Sequence, residues 1–96
     1  MAQLNYSQIE TAIHYEHAFD GSSASARVDP FLVDGGRLDQ NEWEKLKAAD
    51  VRYVVFSYPT PVGWITTDGK RYVVQQSFSR TTNRIQAILR RAWGVA

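Results

Sequence analysis

The sequence predicts an α+β domain: an antiparallel sheet of three to four strands with an N-terminal helix, a short middle helix and a C-terminal amphipathic helix. Two patterns carry that prediction. Residues 51–76 contain three runs rich in β-branched and aromatic side chains, parted by Pro59-Thr60-Pro61 and by Asp68-Gly69. Residues 82–93 place Ile85, Ile88, Leu89, Ala92 and Trp93 at i, i+3, i+4, i+7 and i+8, an apolar helical face. A chain of 96 residues fits one domain, residues 1–96.

The first helix is expected from about Gln8 to Phe19. Ser7 with Glu10 three residues later reads as a capping box, in which each side chain satisfies an otherwise unpaired amide. Ile9, Ala12, Ile13, Tyr15 and Phe19 gather on one arc, with Glu16 inside it. That glutamate sits at the rim or pairs with an arginine, Arg27 or Arg84. Asp20-Gly21-Ser22-Ser23 ends the helix, because glycine accepts the positive φ of a C-terminal cap. Ala24–Val28 reads as a short strand closed by Asp29-Pro30. Phe31-Leu32-Val33 is a small apolar anchor, and Asp34-Gly35-Gly36 a turn. The middle helix starts at Asp39 as N-cap with Glu42 at N3, and Trp43, Leu46 and Ala49 give it one apolar edge.

The strands are expected at Val51–Tyr58, Val62–Thr67 and Lys70–Gln76. Alternation puts Arg52, Val54, Phe56 and Tyr58 on one face, and Val51, Tyr53, Val55 and Ser57 on the other. Both faces are apolar enough to need covering. Asp68-Gly69 suits a type I′ turn, with φ > 0 at both residues. The last helix should run from Thr82 to Trp93, capped by Thr81 or Thr82 and stopped by Gly94.

Charge is distributed unevenly. Residues 1–50 carry 4 basic and 9 acidic side chains, a net of −5, whereas residues 51–96 carry 7 basic and 1 acidic, a net of +6. From Lys70 onward there are six basic residues and no acid. The basic half suits a polyanionic partner; equally, the acidic half can fold onto it and neutralise it. Cysteine is absent, which removes thiolate catalysis and Cys-type zinc sites and fits a reducing, cytoplasmic setting. The opening residues lack the pattern of a signal peptide, and no apolar run approaches the ~20 residues of a membrane span.

Four segments carry a family resemblance: Phe19-Asp20-Gly21-Ser22-Ser23, Tyr53 to Trp64, Phe78 to Gln86 and Arg90-Arg91-Ala92-Trp93. In that order they resemble a family of small proteins encoded by tailed bacteriophages of actinobacteria, with a Y-V-V-x-S-Y-x-T-P strand, a T-T-x-x-x-Q segment and a basic terminal helix. The resemblance covers about half the chain, mainly 53–93. Phe78 stands where the family pattern commonly has tyrosine, and residues 29–50 add a segment outside it. What it implies is a phage origin and a fold; it assigns no activity.

No catalytic motif is present. A Gly-x-Ser-x-Gly elbow, a His-Glu-x-x-His pair and a P-loop are all missing. Glu10, His14 and His17 share a helical face at i, i+4 and i+7, but Glu10 and His17 would lie about 10 Å apart along the axis. A solvated polar face explains them better than a metal site. Neither metal nor cofactor is therefore expected. The expected interface is a cationic one for the DNA or RNA backbone: Lys70, Arg71, Arg80, Arg84, Arg90 and Arg91, with Thr82 and Asn83 as donors at a helix start. The alternative is a protein-binding modulator of a host enzyme or defence complex, offering tyrosines, tryptophans and arginines as anchors. In that mode Asp20, Asp29, Asp34, Asp39, Glu42 and Glu44 would present a negative surface. A homodimer through Trp93 or a sheet edge is a further option.

Overall fold

A computed structural model describes residues 4–30 and 35–96. The elements are α1 (Tyr6–His14), β1 (Phe19–Asp20), β2 (Ala24–Val28), α2 (Gln40–Ala48), β3 (Val51–Ser57), β4 (Thr60–Thr66), β5 (Arg71–Val73) and α3 (Arg80–Trp93). The strands form one antiparallel sheet in the order β1-β2-β3-β4-β5. This is the expected α+β class, with five strands instead of three or four. The apolar stretch at Phe31-Leu32-Val33, and Asp34 of the turn, lie outside the described residues.

The sheet is covered on both faces, as its two-sided apolar pattern requires. On one side Ile9 and Ile13 of α1 and Ile85, Ile88 and Leu89 of α3 pack on Ala26, Tyr53, Val55, Ile65 and Val73. On the other, Leu46 of α2 joins Val54, Trp64 and Val74, with Trp43, Val51 and Phe56 at the margin. Strict alternation would put Val51 on the face of Tyr53. A bulge prevents this: Val51 pairs with Thr66 and Tyr53 with Ile65, so Arg52 is an extra residue in β3.

Helix α1 begins and ends earlier than its sequence suggests. Asn5, not Ser7, is the N-cap. Its Oδ1 accepts from the Gln8 amide at 2.8 Å, while Gln8 Oε1 accepts from the Asn5 amide at 2.9 Å. Asn-x-x-Gln and Ser-x-x-Glu overlap here, and the earlier pair wins. Termination comes at Glu16, in the left-handed region at φ 56°. The His17 amide donates to Ala12 O and the Glu16 amide to Ile13 O, the two bonds of a Schellman motif. Phe19-Asp20 is thereby released to become β1.

The Glu16 side chain bridges to the sheet. Arg52 Nε and Nη2 donate to its two carboxylate oxygens at 3.0 Å each, and Arg71 Nη2 stands 3.8 Å away. Its partners are thus Arg52 and Arg71, not Arg27 or Arg84, which lies on Tyr6 at the opposite end of α1. Arg27 pairs with Asp20 instead. Left-handed backbone disfavours any residue with a Cβ by about 1–2 kcal/mol. Glu16→Gly removes that strain and Glu16→Ala keeps it, while both lose the ion pair. In equilibrium unfolding the glycine variant should therefore be the more stable by about 1 kcal/mol. The reverse order would contradict a left-handed helix end.

The β3–β4 and β4–β5 hairpins also depart from expectation. Tyr58 and Pro59 alone connect β3 to β4, with Tyr58 at φ 53°, so Thr60 and Pro61 belong to the strand. At the second hairpin only Gly69 has positive φ, 91°. Its amide donates to Thr66 O and the Thr66 amide to Lys70 O. This matches a type I turn followed by a left-handed glycine rather than type I′. Helix α2 has the expected Asp39 cap, whose Oδ1 accepts from the Glu42 amide at 2.9 Å. Helix α3 starts at Ser79 instead of Thr81 or Thr82: Ser79 Oγ accepts from the Thr82 amide. It stops, as expected, on Gly94 at φ 67°.

Candidate nucleic-acid interface

Helix α3 buries Ile85, Ile88 and Leu89 and turns its remaining circumference outward. At 100° per residue, Arg80, Arg84 and Arg91 fall within an arc of about 40° and span about 16 Å of axis. No acidic residue occurs in α3, so the helix itself offers no internal neutralisation. Helix α1 lies alongside and supplies the partners. The Arg84 guanidinium carbon sits 4.4 Å from the centroid of the Tyr6 ring, a cation–π contact. Arg91 Nε and Nη2 donate to the Glu10 carboxylate at 3.0 and 2.6 Å. That bond to Arg91 holds the Glu10 carboxyl below its ordinary range. Arg80 is exposed and has no acidic partner among the described residues.

The other expected contacts are distributed differently. Lys70 lies 3.9 Å from Asp68 and Arg71 3.8 Å from Glu16, both on the β4–β5 hairpin. Arg90 folds back to the sheet, where Nη2 donates to Val74 O at 3.4 Å. Thr82 is buried, its hydroxyl 2.7 Å from Ser57 Oγ. Asn83 Oδ1 accepts from the Phe78 amide at 2.8 Å and Nδ2 donates to Ser77 Oγ, which fixes the segment leading into α3. Thr82 and Asn83 thus build the helix start. Three arginines form a stripe, and the remaining cations have protein partners of their own.

Two further features were hard to see in the sequence. Glu42 does not join a negative surface: it is 4% exposed, accepting from Tyr72 Oη at 2.6 and 3.0 Å and from the Gln75 amide at 2.8 Å, with Lys45 Nζ at 3.3 Å. A carboxylate at N3 of a short helix reads as a capping residue, and nothing local announces the distant Tyr72. Glu10, His14 and His17 also separate: Glu10 turns to Arg91, and His17 lies beyond the helix end, its ring stacked on Tyr15 at 5.9 Å. No group of three metal-binding side chains occurs among the described residues.

A family model matches residues 9–89, from the second turn of α1 to the last turns of α3. The chain belongs to the family of unknown function DUF8033. That span takes in the whole sheet and two of the three stripe arginines, so the fold described here is the DUF8033 domain itself, with Arg91 just outside the match. The chain is also 31% identical over 77 residues to betaine–homocysteine S-methyltransferase 1 of Danio rerio. The matched region takes 80% of this chain and 19% of that protein, so the chain spans about a fifth of the length of this curated relative. No solved structure matches the chain. No helix among the described residues is long and apolar enough to cross a membrane.

Proposed function

We propose that this chain is a non-enzymatic binding protein that holds a nucleic-acid backbone along α3. The observation that carries the reading is the exposed stripe of Arg80, Arg84 and Arg91, set against a single acid, Glu10. Three guanidinium groups on one rigid helix offer charge-assisted hydrogen bonds to successive phosphates. The motif resemblance adds a bacteriophage origin, and with it a place of action in the cytoplasm of the infected cell. The methyltransferase likeness covers about a fifth of that protein and assigns no role to any residue here.

Salt dependence tests this reading. Neutralising Z phosphates on B-DNA gives a slope of about −0.9Z in log K against log salt, so three arginines predict about −2.7. Arg84→Ala and Arg91→Ala should each flatten the slope by about one unit. Lys70→Ala should leave it unchanged. Glu10→Gln should act in the opposite direction and tighten binding, because it frees Arg91. An absence of binding to both duplex and single-stranded DNA at low salt would remove the proposal. It would then favour the second reading, a modulator of host machinery of the anti-defence type, for which Tyr15 and Tyr58, 64% and 57% exposed, are ready anchors.

A further inference from the structure

At the amino end of α3 a cavity of about 480 Å³ opens between the β3–β4 hairpin, the segment before α2 and the helix start. Its lining includes Arg37, Ser57, Tyr58, Thr60, Ser79 and Thr82, and no acidic residue among those described. Three of these hydroxyl residues are almost fully buried: Ser57 at 1%, Thr60 at 3% and Thr82 at 5%.

Their protons do not balance. Thr60 Oγ1 accepts from the Arg37 amide at 3.0 Å, and its own O–H has no acceptor among the described residues. Ser79 Oγ donates to Thr82 Oγ1 at 3.2 Å, and Thr82 shares a 2.7 Å bond with Ser57. Whichever of those two donates, the hydroxyl proton of the other is left over. Each of these oxygens has a partner, but two hydroxyl protons at the cavity lining have no acceptor among the described residues, a cost that proteins normally avoid. The cavity lining also includes Arg37, which has no acidic partner among the described residues, and Thr81, whose amide, like that of Arg80 beside it, has no acceptor inside the helix. Among the described residues, everything unmatched here is a donor or a cation.

The geometry points to a binding site for a phosphate monoester in this cavity, with Thr60, Arg37 and the first turn of α3 as its donors. The volume exceeds what a phosphate alone fills and falls in the range of small-ligand pockets, about 300–1,000 Å³. Pro59, Phe78 and the Tyr58 ring give the remaining space an apolar wall for the group that carries the phosphate. A mononucleotide and the phosphorylated end of a nucleic-acid strand share this chemistry. The site meets the α3 stripe only at the Arg80 backbone amide, and it holds whether or not the stripe's guanidinium groups bind a backbone.

The test is a titration of ¹⁵N-labelled protein with inorganic phosphate, AMP and adenosine. Phosphate and AMP should both move the amide signals of Arg80, Thr81 and Thr82, and adenosine should not. Arg37→Ala and Thr60→Val should each weaken AMP binding about tenfold, the worth of one lost hydrogen bond to a charged group. Arg84→Ala should leave AMP binding unchanged. If Thr60→Val does not fold, Arg37→Ala alone decides, since its side chain is exposed. A 5′-phosphorylated oligonucleotide that binds more tightly than both AMP and its 5′-hydroxyl counterpart identifies a strand end as the ligand; otherwise a mononucleotide is the ligand. Equal responses to AMP and adenosine, no response to phosphate, or AMP binding untouched by Arg37→Ala would overturn the site.

Discussion

Replacing Glu42 with alanine lowers the unfolding free energy by about 2–3 kcal/mol, the order for leaving two hydrogen-bond donors without their charged acceptor. Among the described residues the carboxylate is the only acceptor for the Gln75 amide and for Tyr72 Oη, and it sits at N3 of α2 beside Lys45. It therefore ties the helix on one face of the sheet to the end of β5 and to the segment that leads into α3. Without it a partly buried N–H and a half-buried phenol lose their partner together. Burial, first of all, and then the neighbouring carboxylate raise the Tyr72 phenol above its ordinary pKa, so the group stays a donor at neutral pH. Glu42→Gln keeps the shape and one carbonyl acceptor, and should lose less than half as much. Denaturant unfolding of the two variants checks this. Equal losses would show that charge, not acceptor geometry, carries the effect.

Leu89→Ala should cost about 2–5 kcal/mol, as large-to-small changes in a packed core do. Leu89 is fully buried and bears on Gly63 of β4: a Cβ built at Gly63 would lie 2.6 Å from Leu89 Cδ1, 3.0 Å from Trp93 and 3.2 Å from Tyr72 O. The missing side chain at position 63 is what lets α3 press against the sheet. Gly63→Ala alone should destabilise by about 1–3 kcal/mol through overpacking. In the Leu89→Ala background the added methyl enters vacated space, so the double variant should be more stable than the sum of the single losses by over 0.5 kcal/mol. Strict additivity would mean that the two residues do not share this contact.

Much of this fold was legible where local chemistry and long-range packing agree. The apolar face of α3, the Asp39 cap and the Gly94 stop are local signals that the tertiary structure has no reason to override. The boundaries of α1 were not, because two capping pairs compete two residues apart and a glutamate occupies a left-handed position that glycine usually marks. That substitution is offset by the bond from Arg52, 36 residues away, which no window along the chain displays. The short strand β1 was hidden for the same reason: once the helix is read through to Phe19, nothing remains to form it. The basic half was visible as composition only. Sequence separates Arg84 from Arg90 by six positions, yet their places on the wheel send one to solvent and the other to Val74 O. The buried hydroxyls at Ser57, Thr60 and Thr82 gave no signal, since each is ordinary alone and they meet only through the fold.

The sheet order has a kinetic meaning. Every strand lies beside the one that precedes it along the chain, so no pairing must wait for a distant partner to arrive. The tightest link needs two residues, Tyr58 and Pro59, and the longest, residues 29–50, adds little, because each doubling of a loop costs only about 0.6 kcal/mol in closure entropy. Within the sheet, neighbour-to-neighbour pairing of this kind favours growth from the β3–β4 hairpin outward. The packing of α1 on α3, which joins the two ends of the chain, is the contact that closes the largest loop, so the sheet can form before the helices lock together over it.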